Sequence, residues 1–184
     1  MTDAREQLIQ YISSEAVFHG DFTLTSGKKA TYYIDLRKVS LDHRVAPLIG
    51  QVMTELVQQV PDVSAVGGLT MGADPIASAV LHQAAARGLT YDAFVVRKEP
   101  KDHGRGRQIE GAEVAGKRVV VLDDTVTTGG SPLKAVEVLR KAGAEVVAVA
   151  TIVDRRTGAQ ERIEAEGLQW LAAIDLDDLG LEAQ

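Results

Sequence analysis

Two adjacent carboxylates, Asp123 and Asp124, stand between a wholly apolar run and a turn rich in hydroxyls and glycine, in the segment VVVLDDTVTTGGS at residues 119–131. The run Val119–Leu122 reads as a strand buried on both faces, as in a parallel sheet. Thr125, Val126, Thr127, Thr128, Gly129, Gly130 and Ser131 follow, and Pro132 opens a helical pattern. Ser131 before Pro132 has the form of an N-cap and a first helical residue. Backbone N–H groups and hydroxyls at a helix start form a cradle for phosphate. Two carboxylates beside that cradle repel a polyphosphate but accept hydrogen bonds from hydroxyl groups. A sugar phosphate satisfies both halves. An Asp-Asp pair alone is an ordinary strand-end turn; the loop and the Ser-Pro pair behind it favour a ligand.

Three more stretches carry groups suited to an anionic ligand. Residues 97–107 hold Arg97, Lys98, Lys101, Arg105 and Arg107 against Glu99 and Asp102, with His103 among them. The cluster is either a solvated charged loop or the contact for a small anion. VGGLTMGADP, residues 66–75, follows an apolar run, and its glycines suit either a tight turn or a close backbone approach to an anion. Arg155, in VDRRTG, follows another apolar run; the plain reading of an Arg-Arg pair is a surface ion pair. The four histidines, His19, His43, His82 and His103, show no metal-ligand spacing. There is no GxxxxGK[ST] loop, and GRGRQI at residues 104–109 lacks the third glycine of a dinucleotide fingerprint.

The elements needed to position these groups are legible as periodicity. Leu8, Ile9, Ile12 and Ala16 fall at helical spacing. Residues 18–36 read as short strands and turns, 43–59 as an amphipathic helix with Pro47 in its first turn, and 63–69 as a strand. Asp74-Pro75 reads as an N-cap and first-turn pair of a helix stopping at Gly88. A strand is expected at 91–96, a long loop or ribbon at 98–116, a helix at 132–142, a strand at 145–153, a helix at 159–166 and an edge strand at 168–174. This order implies an α/β fold, a mostly parallel sheet with helices on both faces. One domain is expected over residues 1–184, with 1–40 forming a small cap over the carboxyl end of the sheet, where ligands bind in open α/β sheets. A structureless stretch longer than twelve residues in a compact domain points to function.

Composition narrows the classes. The chain has 184 residues, 45% of them hydrophobic, a net charge of −6 and no cysteine. Thiol nucleophiles, disulfides and cysteine-based metal sites are excluded. The acidic balance argues against nucleic acid as a partner. MTDAREQLIQ has early charges and no apolar signal core, and no apolar stretch approaches membrane-spanning length. The expectation is a cytoplasmic protein with no membrane partner.

The segment at 119–131 resembles the phosphoribosyl-pyrophosphate (PRPP) signature of the type I phosphoribosyltransferases. FTLTSGKKATYYID at residues 22–35 and VRKEPKDHG at 96–104 resemble the substrate segment and catalytic loop of the orotate-using members, in the same order along the chain. The resemblance implies transfer of phosphoribosyl from PRPP to orotate, giving orotidine 5′-monophosphate and pyrophosphate in pyrimidine biosynthesis. It implies that Asp123 and Asp124 contact the ribose hydroxyls and that Thr125–Ser131 wrap the 5′-phosphate. Arg97, Lys98, Lys101 and His103 then belong to a mobile loop, within 98–116, that acts on the leaving pyrophosphate, with Asp124 as a further catalytic residue. Orotate contacts fall to Thr127, Arg155, Tyr33 and Ile34. The implied cofactor is Mg²⁺, held mainly through substrate rather than by protein ligands, and the implied assembly is a homodimer whose catalytic loop acts in trans. Thr25, Thr31 and Met71 stand where relatives carry lysine, proline and lysine, and Arg105 where many carry an acidic residue. The alternatives are a phosphoribosyltransferase for another base, and a PRPP-binding regulatory protein without catalysis.

Overall fold

The computed structural model of the protein describes residues 2–23, 29–100 and 107–183. A six-stranded sheet runs in the order β5-β4-β3-β6-β7-β8. Its strands are β3 (Ala65–Leu69), β4 (Asp92–Val96), β5 (Ile109–Gly111), β6 (Arg118–Val126), β7 (Glu145–Asp154) and β8 (Gln169–Asp175). All pairings are parallel except that of β4 with β5. The expected edge strand is β8. Within the stretch expected as loop or ribbon, Ile109–Gly111 forms β5 and returns antiparallel on β4, with Val96 opposite Ile109.

The helices are α1 (Thr2–Tyr11), continued by a π-helical turn at Ile12–Ala16, α2 (Arg37–Ser40), α3 (Ala46–Val57), α4 (Ala73–Ala86), α5 (Gly130–Lys141) and α6 (Ala159–Glu164). The apolar run of β6 is explained by helices on both faces. Val120 and Leu122 enter one core with Leu8, Ile49, Met53 and Ile76 from α1, α3 and α4. Val119 and Val121 enter the other with Val136, Leu139 and Ile163 from α5 and α6. Leu122 is fully buried, and truncating such a side chain to alanine costs about 2–5 kcal/mol.

Two expectations are corrected at helix starts. Ser131 does not cap α5; Gly129 does, at φ 76, and Ser131 is already helical. A left-handed residue at that corner is natural for glycine, so the turn is made one residue earlier than Ser-Pro suggests. Asp74 likewise lies inside α4, whose cap is Gly72. There its carboxylate faces the positive end of the helix and accepts a hydrogen bond from the Thr70 hydroxyl at 2.6 Å. Gly67 and Gly68 lie within β3 rather than in the loop. A Cβ on Gly67 would sit 2.0 Å from the Phe94 carbonyl oxygen, and one on Gly68 would sit 2.1 Å from that of Leu122. These two glycines serve strand packing, not an anion.

Residues 17–23 and 29–34 form a two-stranded antiparallel sheet, β1 (Val17–Thr23) with β2 (Lys29–Ile34). Ala30, Tyr32 and Ile34 of β2 point inward, and Thr31 and Tyr33 outward. β2 runs directly into α2 near the carboxyl ends of β3 and β6.

Candidate active site

The strand order sets where a ligand can enter. From β3 the chain crosses through α4 to β4 on one side; from the neighbouring β6 it crosses through α5 to β7 on the other. The crevice beyond the carboxyl ends of β3 and β6 is therefore a switch point of an open α/β sheet. A cavity of about 330 Å³ lies there. Leu69, Thr70, Met71 and Gly72 line it from the end of β3, and Asp123, Asp124 and Thr125 from β6. Tyr33, Ile34, Asp35 and Arg37 close it from β2 and α2, with Lys98 and Ser131 at its margin.

The two carboxylates lie within β6, which runs on to Val126 rather than ending at Leu122. Asp123 is buried, at 6% exposure. Its Oδ1 accepts the Asp124 N–H at 3.0 Å, and Asp124 Oδ1 accepts the Thr125 N–H at 2.7 Å. Burial, and then the charge of Asp124, push the Asp123 carboxyl up to about 7. Behind the pair, the buried Thr151 hydroxyl on β7 donates to the Asp124 carbonyl at 3.2 Å. In front of it, Gly72 leaves room: a Cβ there would stand 2.9 Å from Asp124 Oδ1 and 3.2 Å from Asp123 Oδ1. The loop after β3 thus lies directly against the acidic pair. The peptide between Thr70 and Met71 is cis.

Thr127 and Thr128 are exposed in the turn between β6 and α5, and Gly129 and Gly130 follow. The first N–H groups of α5 have no intrahelical partner and carry the positive end of its dipole. The Thr128 carbonyl is tied down by Arg162 Nη1 at 3.2 Å. The Thr125 hydroxyl is buried without a partner among the described residues. Thr127, Thr128, Gly129 and Gly130 do not line the cavity itself; Ser131 does.

Arg97 and Lys98 leave the end of β4 side by side. The Arg97 N–H donates to the Gln108 carbonyl at 2.8 Å, and the Gln108 side-chain amide donates back to the Arg97 carbonyl at 3.0 Å. This clip fixes both arms of the ribbon. Lys98 reaches the cavity; Arg97 stands 4.0 Å from Glu110, away from it. Lys101 and His103 lie outside the described residues, as do Thr25 and Arg105.

The Arg155-Arg156 pair divides. Arg156 makes surface ion pairs with Asp175 at 2.6 Å and Asp177 at 2.5 Å. Arg155 has no ion pair among the described residues, and its Nε is buried without a partner. Its guanidinium lies 5.3 Å over the Tyr32 ring. Tyr32 is buried, and its hydroxyl donates to the Glu182 carbonyl at 2.7 Å. Arg155 does not line the cavity but reaches the inward face of β2, whose next residues, Tyr33 and Ile34, do. Sequence reasoning passed over Arg37, Asp35, Thr70 and Thr151. Asp35 and Thr70 lie in segments the sequence singles out, without a role of their own, and Arg37 follows the YYID segment as a cation; Thr151 depends on which strands become neighbours.

Comparison with known proteins agrees with this geometry. The phosphoribosyl transferase domain matches residues 41–168. The orotate phosphoribosyltransferase of Streptomyces avermitilis is 59% identical over 183 residues, 99% of this chain and 100% of that protein. Two crystal structures of the Mycobacterium tuberculosis H37Rv orotate phosphoribosyltransferase superpose over 97% of this chain and 99% of theirs. The one with Fe(III) dicitrate gives a TM-score of 0.88 at 53% identity, and the one with PRPP gives 0.84 at 49%. Matched by the domain over most of its length and by these relatives almost end to end, this chain belongs to the orotate phosphoribosyltransferases of the phosphoribosyltransferase family.

Proposed function

We propose that this chain transfers the phosphoribosyl group of PRPP to orotate, giving orotidine 5′-monophosphate and pyrophosphate for pyrimidine synthesis. The observation that carries the reading is the Asp123–Asp124 pair at the switch point, with the start of α5 on one side and Gly72 on the other. A carbon–nitrogen bond to the base forms at the anomeric carbon as the carbon–oxygen bond to pyrophosphate breaks; pyrophosphate leaves with the electron pair and takes up the proton given up by the base nitrogen. Asp123 and Asp124 accept the ribose hydroxyls. Thr125–Ser131 and the free N–H groups of α5 hold the 5′-phosphate. Arg97, Lys98, Lys101 and His103 balance charge on the departing pyrophosphate, the kind of preorganised electrostatic support that lowers barriers most. Arg155, Thr127 and the backbone of Tyr33 and Ile34 take orotate; a guanidinium matches its carboxylate and carbonyl oxygens.

Magnesium suits this donor set. The paired carboxylates are hard oxygen donors, yet no group of three or more His, Cys, Asp or Glu side chains among the described residues could hold a metal. Asp123 and Asp124 would stand nearest a Mg²⁺ brought in mainly through substrate, which would supply neutralisation of leaving-group charge. Residues 1–40 form the base-binding part of a single domain, and 98–116 form a catalytic loop that closes over the site and excludes water. Lys98 serves its own chain's cavity, and we assign Lys101 and His103 of that loop to the partner's site within a homodimer. No helix among the described residues is long and apolar enough to cross a membrane, and we place the enzyme in the cytoplasm. The test is to incubate protein, Mg²⁺ and PRPP with orotate, uracil, adenine or guanine and to separate the products. Only orotate should yield a nucleotide and stoichiometric pyrophosphate; a nucleotide from another base, or none, would overturn the reading.

A further inference from the structure

The cavity beyond β3 and β6 is lined by three carboxylates, Asp35, Asp123 and Asp124, and by two cations among the described residues, Lys98 and Arg37. A ligand bearing a pyrophosphate needs cationic donors on that wall. The loop after β3 brings no charged side chain to it, since Thr70, Met71 and Gly72 are its lining residues there. Arg37 is held in place from one side. Asp35 Oδ1 accepts the Arg37 Nε–H at 2.8 Å and its backbone N–H at 3.2 Å. Its Nη2 makes only a long contact, 3.4 Å, with the Tyr33 hydroxyl, and its Nη1 has no partner among the described residues. The guanidinium feels Asp124 as well as Asp35 and Tyr33. It is thus oriented, charged, half exposed and supplied with unused donors on the wall of the cavity.

We propose that Arg37 is a pyrophosphate-binding residue of this site, a role that rests on the phosphoribosyl-transfer reading above. The other parts of the ligand are served elsewhere. Ribose hydroxyls need acceptors, which Asp123 and Asp124 are, and the 5′-phosphate has the start of α5. Pyrophosphate, between the β3 loop and α2, is the part left for a planar donor fork. Asp35 then acts as a positioning residue for Arg37.

Titration calorimetry with magnesium pyrophosphate, ribose 5-phosphate and orotate on wild type, Arg37→Gln and Arg37→Lys tests this. Arg37→Gln should weaken pyrophosphate roughly 10- to 100-fold, the range of one charge-assisted contact. Ribose 5-phosphate and orotate should bind as before, and Arg37→Lys should recover part of the loss. Unchanged pyrophosphate affinity in Arg37→Gln, or equal loss of ribose 5-phosphate, would overturn the proposal. Wild-type protein that binds pyrophosphate yet makes no orotidine nucleotide would sink the transfer reading instead, and leave the Arg37 measurement standing.

Discussion

Asp123 holds a carboxyl that burial and the neighbouring charge of Asp124 raise from 3.8 to about 7. A carboxyl whose folded-state pKa lies above its unfolded value takes up a proton on folding between the two. Its contribution to stability is present at low pH and is lost as pH rises from 3.8 towards 7. Wild type should therefore fall in stability relative to Asp123→Asn across that window, as thermal melts at several pH values would show; parallel curves would contradict the shift. Under the proposed role, ribose hydroxyls donating to Asp123 favour its ionised form, so PRPP binding near pH 7 should release a proton. Binding enthalpies in two buffers of different ionisation heat should differ more for wild type than for Asp123→Asn. That Asp123, Asp124, Thr125 and Ser131 share one cavity was legible in the sequence, because Asp-Asp followed by a Thr/Gly loop is a chemical pattern within one segment. Thr151 was not, because its hydroxyl meets the Asp124 carbonyl only through the pairing of β6 with β7. Residue type alone does not separate Arg155 from Arg156, though the resemblance singles out Arg155; packing places one guanidinium on Tyr32 and the other on surface carboxylates.

β6 and β3 present the chemistry, and their details explain where reading by periodicity stopped short. Val119–Leu122 was visible as a strand because both faces are apolar. Its continuation through Asp123–Val126 was hidden, since polar residues at a strand's carboxyl end look like a loop until β7 is seen pairing with them as far as Asp154. The start of α5 was misjudged for a related reason: Gly129 makes the corner through its backbone, which Ser-Pro chemistry does not reveal. The loop after β3 has one position that side-chain volume controls. In Gly72→Ala the new Cβ meets the Asp124 and Asp123 carboxylates at 2.9 Å and 3.2 Å and must displace them. Carboxylate ends can swing, so melting should change little while the KM for PRPP rises about tenfold or more, the loss of one good hydrogen bond. Full activity with wild-type KM in this variant would show that the loop does not abut the ribose site.

At the scale of the whole molecule, sheet order does what no single motif does. Crossovers that diverge from adjacent β3 and β6 open one crevice; the α/β alternation of the sequence implied a parallel sheet with its ligand at the carboxyl end, but not this strand order, the antiparallel return of β5 or the inward seat of Tyr32, which depend on contacts distant in the chain. If the loop carrying Lys101 serves the partner's site, inactive Lys101→Ala and Asp124→Asn chains should regain activity when mixed, since a heterodimer holds one site with all its parts. No recovery after verified subunit exchange would place the loop in cis. Lys101→Ala alone should lower kcat about a hundredfold, roughly 3 kcal/mol, with a smaller effect on PRPP affinity. The proposed transfer requires a site divided into a ribose end at Asp123–Asp124 and a base end at Arg155. Calorimetric titration of PRPP and of orotate, separately, into Arg155→Ala and Asp124→Asn reads that division directly. Arg155→Ala should lose about ten- to a hundredfold in orotate affinity and keep PRPP, and Asp124→Asn should do the reverse; loss of PRPP affinity in Arg155→Ala as severe as its loss of orotate would contradict it.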